Sequence, residues 1–182
     1  VLGYDAWLTT KSTLDRYERI LNPKNILLRA VQKNPVDGLW SDRPELPNAA
    51  VSVQEEKFSG ENSASKRSKI AKTLKEQKLT AAVLTVCDSV MWLLNIRGGD
   101  VPMTPFAHAY AILHADETVD LFIDEHKINA AVKTHLGKEV RIQSPELFLK
   151  ALEKLGGAKS RVLYDPQLSP VAIYQALKTA DA

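Results

Sequence analysis

The second half of the chain alternates short apolar runs with amphipathic stretches, and no other feature of the sequence restricts the fold as strongly. The apolar runs have the length of β-strands, whereas the amphipathic stretches repeat apolar residues at helical spacing. We predict strands at 81–86, 106–113, 119–124, 139–143 and 161–165, and helices at about 65–77, 88–96, 125–135 and 145–155 and after Pro170. This alternation predicts an α/β fold, namely a three-layer domain in which helices flank a β-sheet.

The short turn "HADE", residues 114–117, indicates that the sheet is mixed. It separates the predicted strands 106–113 and 119–124. Parallel neighbours need a crossover of about a dozen residues or more, whereas a turn this short suffices for a hairpin. We therefore expect these two strands to pair as an antiparallel hairpin within a mixed β-sheet.

The first part of the chain is less regular. Apolar residues at helical spacing predict a helix at 13–21, and the run "NILLRAVQ", residues 25–32, predicts a short strand. Residues 34–51 contain three prolines, one glycine and little periodicity, which indicates a linker or domain boundary. The chain opens at Val1 on an alternating apolar segment without an initiator methionine, and we interpret it as a piece of a longer protein.

Composition excludes several classes of partner. The 182 residues are 45% hydrophobic and 25% charged, as in ordinary soluble globular proteins. No run approaches the roughly 18 apolar residues of a membrane helix, so we expect a cytoplasmic protein without membrane contact. A net charge of +2 gives little attraction to nucleic acid. The basic run 66–78 has no interleaved aromatic residue for base stacking, so we expect no nucleic-acid partner.

The residue types that carry catalysis do not form a recognisable motif. The four histidines lack the HExxH spacing of a zinc site, and His108 and His114 are expected to share a strand face as structural residues. Cys87, the single cysteine, is expected to be a buried, inert thiol at the end of a strand. There is neither a GxSxG nucleophile elbow nor a phosphate-binding glycine loop. The sequence therefore predicts no catalytic residue and no metal ligands in this chain.

The stretch "NIRGGDVPMTP", residues 95–105, is a strongly constrained loop. Adjacent glycines permit unusual backbone angles, and its two prolines favour extended geometry before them. In one interpretation, Arg97 and Asp100 pair with each other or cap the neighbouring backbone. In the other, the rigid loop presents Arg97 at a cleft to a carboxylate or a peptide carbonyl. The sequence alone leaves both open.

Two longer strings carry a family resemblance. They are "NPVDGLWSDRPELP", residues 34–47, and "DSVMWLLNIRGGDVPMTPFAHAYAIL", residues 88–113, which is followed by "VDLFID". Found in this order, they closely resemble the cytosolic three-domain aminopeptidase P family, the Xaa-Pro aminopeptidases. The resemblance extends from "GYDAWL" to the last helix. Gly99 stands where serine or asparagine is more usual, and Met103 where many relatives have histidine.

The resemblance implies a fold and a domain division. The fold is that of the creatinase/prolidase N-terminal domain, which has a ribonuclease H-like motif. Residues 1–47 would be the C-terminal part of a first domain with its linker, and residues 48–182 would be the second domain. The catalytic pita-bread domain would be absent from this chain.

The resemblance also implies a function for the parent protein. Such an enzyme removes the N-terminal residue ahead of proline with two divalent metal ions, usually manganese, in its C-terminal domain. The ligands of those ions, two aspartates, a histidine and two glutamates, would follow Ala182. Expected partners are the protein's own catalytic domain, short peptides with proline in the second position, and a second copy in a homodimer.

Within such a parent, this chain would be non-catalytic and inactive alone. It would narrow access to the active-site cleft, and Arg97, Asp100 and Asn95 are the candidates for contact with substrate or with the catalytic domain. The alternative is a non-enzymatic relative, in which the same domains act as a binding or scaffold module.

Overall fold

The computed structural model of the chain describes residues 1–158 and 160–178. Its strands are β1 (Leu2–Asp5), β2 (Leu28–Val31), β3 (Ser52–Val53), β4 (Ala81–Leu84), β5 (Ile96–Arg97), β6 (Tyr110–His114), β7 (Val119–Phe122), β8 (Val140–Gln143) and β9 (Val162–Leu163). Its helices are α1 (Lys11–Leu21), α2 (Pro35–Leu39), α3 (Glu56–Ser59), α4 (Ser63–Glu76), α5 (Cys87–Leu94), α6 (Ala130–Leu136), α7 (Phe148–Gly157) and α8 (Val171–Lys178). Short 3-10 turns occupy Asn22–Lys24, Glu125–Lys127 and Pro145–Leu147.

A five-stranded mixed sheet forms the centre of the fold, in the order β8-β7-β6-β4-β9. Strand β6 pairs antiparallel with both β4 and β7, whereas β8 and β9 run parallel to their neighbours. The tight turn between β6 and β7 forces the antiparallel pairing, with Leu113 opposite Val119. The predicted hairpin, the mixed sheet and the α/β fold class are confirmed.

Helices cover both faces of this sheet, which gives three layers. Residues Ala111 and Leu113 of β6 point to the face packed against α4, α5 and α6, while Ile112 between them points to the face packed against α7 and α8. Strand β7 repeats this alternation with Leu121 and Phe122. Alternate residues of a strand thus supply two separate apolar cores, and both faces of the sheet are buried.

The strand predicted at 106–113 begins only at Tyr110. Its first part bonds to the preceding loop instead, because the Phe106 carbonyl accepts from the Asp100 N–H at 2.9 Å and the His108 N–H donates to the Asp100 carboxylate at 2.7 Å. As a result, His108 is exposed outside the strand. The predicted face shared by the two histidines is therefore wrong.

Two further boundaries differ from the prediction. The helix predicted at 125–135 is divided into a 3-10 turn and α6, because the Asn129 side chain accepts from the Val132 N–H at 3.0 Å and starts a new helix. Cys87 is the first residue of α5 and is partly exposed, so the expectation of a buried thiol at a strand end is wrong.

The stretch 34–51, predicted to be a linker, contains one short helix. Helix α2 begins after Asn34, whose side chain accepts from the Val36 N–H at 2.9 Å. From residue 43 to residue 51 the chain has no helix or strand. The boundary between residues 47 and 48 stays a prediction.

The first elements of the chain pack against α8 and the segment before it. Strands β1 and β2 form a separate parallel pair, and α1 follows β1. Backbone hydrogen bonds join Ser12 N–H to the Pro166 carbonyl at 2.9 Å and Val171 N–H to the Thr9 carbonyl at 2.8 Å. The Trp7 ring lies 6.1 Å from the ring of Tyr110 on β6. The residues before the linker are thus attached to the central domain through backbone and aromatic contacts.

Candidate functional site

The 95–105 loop, which contains the candidate site residues Asn95, Arg97 and Asp100, begins where α5 ends. Asn95 has a left-handed backbone with φ of 52° and is 2% exposed. Its side-chain amide donates to the Glu61 carbonyl at 2.7 Å, and its side-chain oxygen accepts from the Lys66 ammonium at 2.7 Å. Its own carbonyl accepts from the Gln54 N–H at 2.8 Å. Asn95 therefore anchors the start of the loop to the segments around it.

Arg97 follows in β5, which pairs with β3. The backbone of Arg97 lies opposite Ser52, and the preceding Ile96 is fully buried. The Arg97 side chain is half-buried, and its Nη1 donates to the Ile96 carbonyl at 3.0 Å. Within residues 1–158 and 160–178, no carboxylate forms an ion pair with it. The guanidinium therefore keeps most of its donors for other partners.

Gly98 lets two backbone segments approach closely. Its N–H donates to the Pro105 carbonyl at 3.1 Å, which closes the base of the loop. A Cβ at this position would lie 2.4 Å from the Ala107 nitrogen, closer than any side chain tolerates. At Gly99 the nearest atom to an added Cβ is the Ala49 Cβ at 3.2 Å, a milder contact. The first glycine is thus required by packing.

Asp100 binds groups from three segments. Its carboxylate accepts from the Lys127 ammonium, from the His108 N–H at 2.7 Å and from the Ala49 N–H at 3.2 Å. It is only 7% exposed. Burial alone would raise the pKa of Asp100, but the hydrogen bonds from Lys127 and the two backbone N–H groups outweigh it and lower the pKa. Asp100 thus joins the loop to the 3-10 turn and to the linker.

The tip of the loop extends into solvent. Val101 and Thr104 form an isolated antiparallel bridge, and the Thr104 N–H donates to the Val101 carbonyl at 3.1 Å. Between them, Met103 has a φ of 60° and a fully exposed side chain. An apolar side chain in a left-handed turn is thereby presented at the surface.

A buried lysine of α4 lies behind the loop. Lys66 is 3% exposed, and its ammonium donates to the Trp92 carbonyl at 3.0 Å as well as to Asn95. It also lies 4.5 Å from the centre of the Trp92 ring. Burial lowers the pKa of Lys66 and the positive charge of Arg97 lowers it further, while Glu61 opposes the shift. Lys66 is thus a buried cation within the electrostatic range of Arg97.

These contacts favour the structural interpretation for Asp100 and leave the functional one open for Arg97. Asp100 does not pair with Arg97 but with Lys127, and it caps neighbouring backbone. The structural interpretation thus describes Asp100 and Asn95, whereas Arg97 has only the carbonyl of its neighbour as a hydrogen-bond partner among the described residues. Contact of Arg97 with a substrate stays a proposal.

Sequence reasoning missed a polar cluster on the central sheet. The Asp120 carboxylate of β7 accepts hydrogen bonds from His114 Nε2 at 2.7 Å, from Arg141 Nε at 2.6 Å and from Gln143 Nε2 at 2.8 Å. Burial opposes ionisation, but the hydrogen bonds from His114 and Arg141 lower the pKa of Asp120 well below its usual range. The sequence signal that could have revealed this cluster is that these polar residues occupy alternating positions on neighbouring predicted strands. The cluster joins β6, β7 and β8 through their side chains.

Two clefts lie on the surface of the described residues, and Arg97 lines neither of them. One of about 530 Å³ lies where β1 and β2 end and is lined by residues such as Asp5, Trp7 and Asn34. Another, of about 290 Å³, lies between α5 and the segment before α8, beside Trp92 and Leu168. Within the described residues, no three His, Cys, Asp or Glu side chains gather in a group that could hold a metal ion.

With this geometry in place, comparison with known proteins decides the family. The family model of the creatinase/prolidase N-terminal domain matches residues 42–182. The chain belongs to the creatinase/prolidase N-terminal domain family. The match includes the central sheet, the helices on both faces and the whole 95–105 loop. The predicted resemblance is confirmed.

Two curated proteins with long matches to the chain are named as aminopeptidases. Aminopeptidase P1 of Lotus japonicus is 38% identical over 77% of the chain, which corresponds to 22% of that protein. Aminopeptidase P2 of Arabidopsis thaliana is 29% identical over 98% of the chain and 26% of that protein. The chain therefore spans about a quarter of the length of the curated relatives it matches.

A solved structure shows the same fold. It is X-prolyl aminopeptidase from Caenorhabditis elegans, described as a cytosolic enzyme with a di-nuclear active site. The TM-score is 0.85 at 29% identity, over 94% of this chain and 29% of the nematode enzyme. The fold of the nematode enzyme is therefore shared over nearly the whole chain.

The helices within the described residues are too short or too polar to cross a membrane. None within residues 1–158 and 160–178 combines sufficient length with sufficient apolar character.

Proposed function

We propose that the chain is the non-catalytic part of a Xaa-Pro aminopeptidase, a metallopeptidase that removes the N-terminal residue ahead of proline. The observation that carries this proposal is the structural match to an X-prolyl aminopeptidase over 94% of the chain with a TM-score of 0.85. The aminopeptidase P sequences that match 77% to 98% of the chain support it. In this role the chain shapes access to the active-site cleft and contributes contacts between domains or subunits.

The catalytic chemistry belongs to the remainder of the protein. The described residues provide no metal-binding group, so they do not fit a di-nuclear site such as the one described for the nematode enzyme. We propose that a separate catalytic domain holds two manganese ions with two aspartates, a histidine and two glutamates. Paired metal ions of this kind lower the pKa of a bound water and stabilise developing negative charge. In this proposal the chain itself only binds and orients the peptide substrate and excludes larger molecules from the active-site cleft.

The loop 95–105 is the part of the chain that we place at the cleft. Its base is fixed by Asn95, by the close approach at Gly98 and by Asp100, so its conformation is set before any ligand arrives. Loops on a rigid scaffold are frequent sites of recognition. In this arrangement Arg97 is the group that contacts a substrate or the catalytic domain.

The expected partners follow from the same proposal. They are the protein's own C-terminal catalytic domain, short peptides with proline in the second position, and a second copy in a homodimer. We place the protein in the cytoplasm, as the nematode relative is described as cytosolic.

Hydrolysis by the full-length protein tests the proposed function. Release of the N-terminal residue is measured with a tripeptide that has proline in the second position and with its alanine counterpart. The proposal expects cleavage of the proline peptide only, loss of activity with a chelator and recovery with manganese. No cleavage by metal-loaded protein would contradict it and favour the alternative, a binding or scaffold module of a non-enzymatic relative.

A further inference from the structure

The Arg97 guanidinium has hydrogen-bond donors without a partner among the described residues. It makes one hydrogen bond, to the Ile96 carbonyl at 3.0 Å, and no carboxylate of the described residues pairs with it. Asp100, the other charged residue of the loop, is neutralised because it forms a buried ion pair with Lys127. A planar guanidinium with free donors matches the geometry of a carboxylate.

Lys66 increases the positive potential at this place. It is a buried cation that has carbonyl, amide and aromatic partners but forms no ion pair within the described residues. The charge of Arg97 contributes to lowering the pKa of Lys66, which means that the two cations repel each other. An anion bound at Arg97 would relieve this repulsion, so the pair favours an anionic ligand.

The backbone beneath Arg97 is organised in advance. Strand β5 is held to β3, Asn95 caps α5, and Gly98 packs against the backbone of Ala107. A ligand group that binds here does not have to order the loop, and a preorganised site loses less free energy on binding. The loop therefore provides a fixed position for one anionic group.

We propose that Arg97, reinforced by Lys66, is an anion subsite that receives the C-terminal carboxylate of a short peptide substrate. The inference rests on the proposed function and names the part of the substrate that this chain recognises. An extended chain spans at most about 3.5 Å per residue, so the carboxylate of a tripeptide lies within roughly 10 Å of its N-terminus. A cation fixed on the wall of the cleft would therefore favour peptides of short and defined length.

Steady-state kinetics of the full-length, manganese-loaded protein test this inference. The substrates are one Xaa-Pro tripeptide as its free acid and the same tripeptide as its C-terminal amide. The variants are Arg97→Met and Arg97→Lys, and the control is Arg19→Met. Arg19 is a matched arginine, because its Nε also makes a single backbone hydrogen bond, to the Asp15 carbonyl at 3.4 Å, but it lies exposed on α1.

The expected result separates the two substrates. The wild type binds the acid more tightly than the amide, and Arg97→Met raises KM for the acid roughly tenfold or more, since a hydrogen-bonded charge is lost. The KM for the amide and kcat for both substrates stay close to wild type. Arg97→Lys recovers part of the loss because it keeps the charge but not the planar fork. Arg19→Met behaves as wild type.

The contrary results are distinct. Equal effects of Arg97→Met on acid and amide would overturn the inference and show that Arg97 braces the protein, for example through a carboxylate of the catalytic domain. Unchanged KM values for both substrates would also overturn it while leaving the proposed function intact. A wild type that cleaves neither peptide would refute the proposed function itself, and the inference with it.

Discussion

Asp100 and Arg97 are close in sequence, yet the chain uses the two charges for different purposes. Asp100 is enclosed by Lys127 and by two backbone N–H groups, so its charge is satisfied within the fold. Arg97 has no such partner among the described residues. At the scale of single residues, the loop thus combines a structural anion with an available cation.

Breaking the buried ion pair of Asp100 and Lys127 should destabilise the fold strongly. Replacing Asp100 with leucine leaves the Lys127 ammonium buried without a counter-charge, and we expect the free energy of unfolding to fall by about 3 to 5 kcal/mol. Urea denaturation of the chain measures this change. Replacing both residues, as Asp100→Leu with Lys127→Met, should restore much of the loss because no unpaired charge remains.

An exposed ion pair provides the control for that experiment. Asp37 pairs with Arg43 at 2.9 Å, and both side chains are about half exposed. Exposed pairs of this kind contribute about 0 to 1 kcal/mol, so Asp37→Leu should have little effect. If Asp100→Leu were no more destabilising than Asp37→Leu, the anchoring role of Asp100 would be wrong.

The polar cluster around Asp120 predicts a dependence of stability on pH. Its pKa is lower in the folded chain than in the unfolded chain, so the unfolded state binds more protons in acid. The stabilisation is complete above the unfolded carboxyl pKa of about 3.9 and is lost as the pH falls toward the folded value. We expect Asp120→Asn to be less stable at neutral pH and to lose less stability on acidification.

Thermal or urea denaturation across a pH series measures this difference. The curves of wild type and Asp120→Asn should converge as the pH falls below about 4, because protonation removes the charge that distinguishes the two side chains. Parallel curves over the whole acidic range would mean that Asp120 is not the group that titrates.

At the scale of elements, the connection between α5 and β6 depends on one close backbone contact. A Cβ at position 98 would lie 2.4 Å from the Ala107 nitrogen, so Gly98→Ala must displace the loop or the segment after it. We expect a loss of stability of about 1 to 3 kcal/mol, as for other overpacked sites, measured by urea denaturation. Gly38→Ala in α2 is the matched control, since nothing lies within 4 Å of its added Cβ.

The control should be neutral or slightly stabilising, because alanine reduces the entropy of the unfolded chain. Equal stability of the two variants would show that the loop adapts freely around position 98. Such freedom would also remove the fixed position on which the proposed role of Arg97 depends.

Most elements could be predicted from periodicity alone, and the shortened strand at 106–113 shows where that reasoning fails. The strand at 119–124 and the helix after Pro170 were predicted because their apolar spacing reflects local geometry that packing does not change. The strand at 106–113 is shorter than its alternation indicates, because Asp100 binds backbone that would otherwise continue the ladder. A side chain that reaches across the chain cannot be derived from local spacing.

The same limit applies to the candidate site. The glycines and prolines predicted a rigid loop at 95–105, but not which of its charges would be satisfied within the fold. Lys127 is distant from Asp100 in sequence, and so is Lys66 from Asn95. The availability of Arg97 therefore became visible only when the tertiary partners of its neighbours were known.

At the scale of the whole molecule, we propose that the chain supplies a scaffold and one wall of the active-site cleft. It spans 29% of the nematode enzyme that it matches, and its described residues hold no group suited to a metal ion. In our account, the chemistry comes from a separate catalytic domain, while this chain selects the peptides that reach it. Activity should therefore require both parts.

The most direct measurement is N-terminal residue release from one Xaa-Pro tripeptide, compared between the full-length protein and the 182-residue chain at equal concentration with manganese. Our account predicts steady release by the full-length protein and no release above the buffer rate by the chain alone. Hydrolysis by the isolated chain, or an inactive full-length protein, would contradict it.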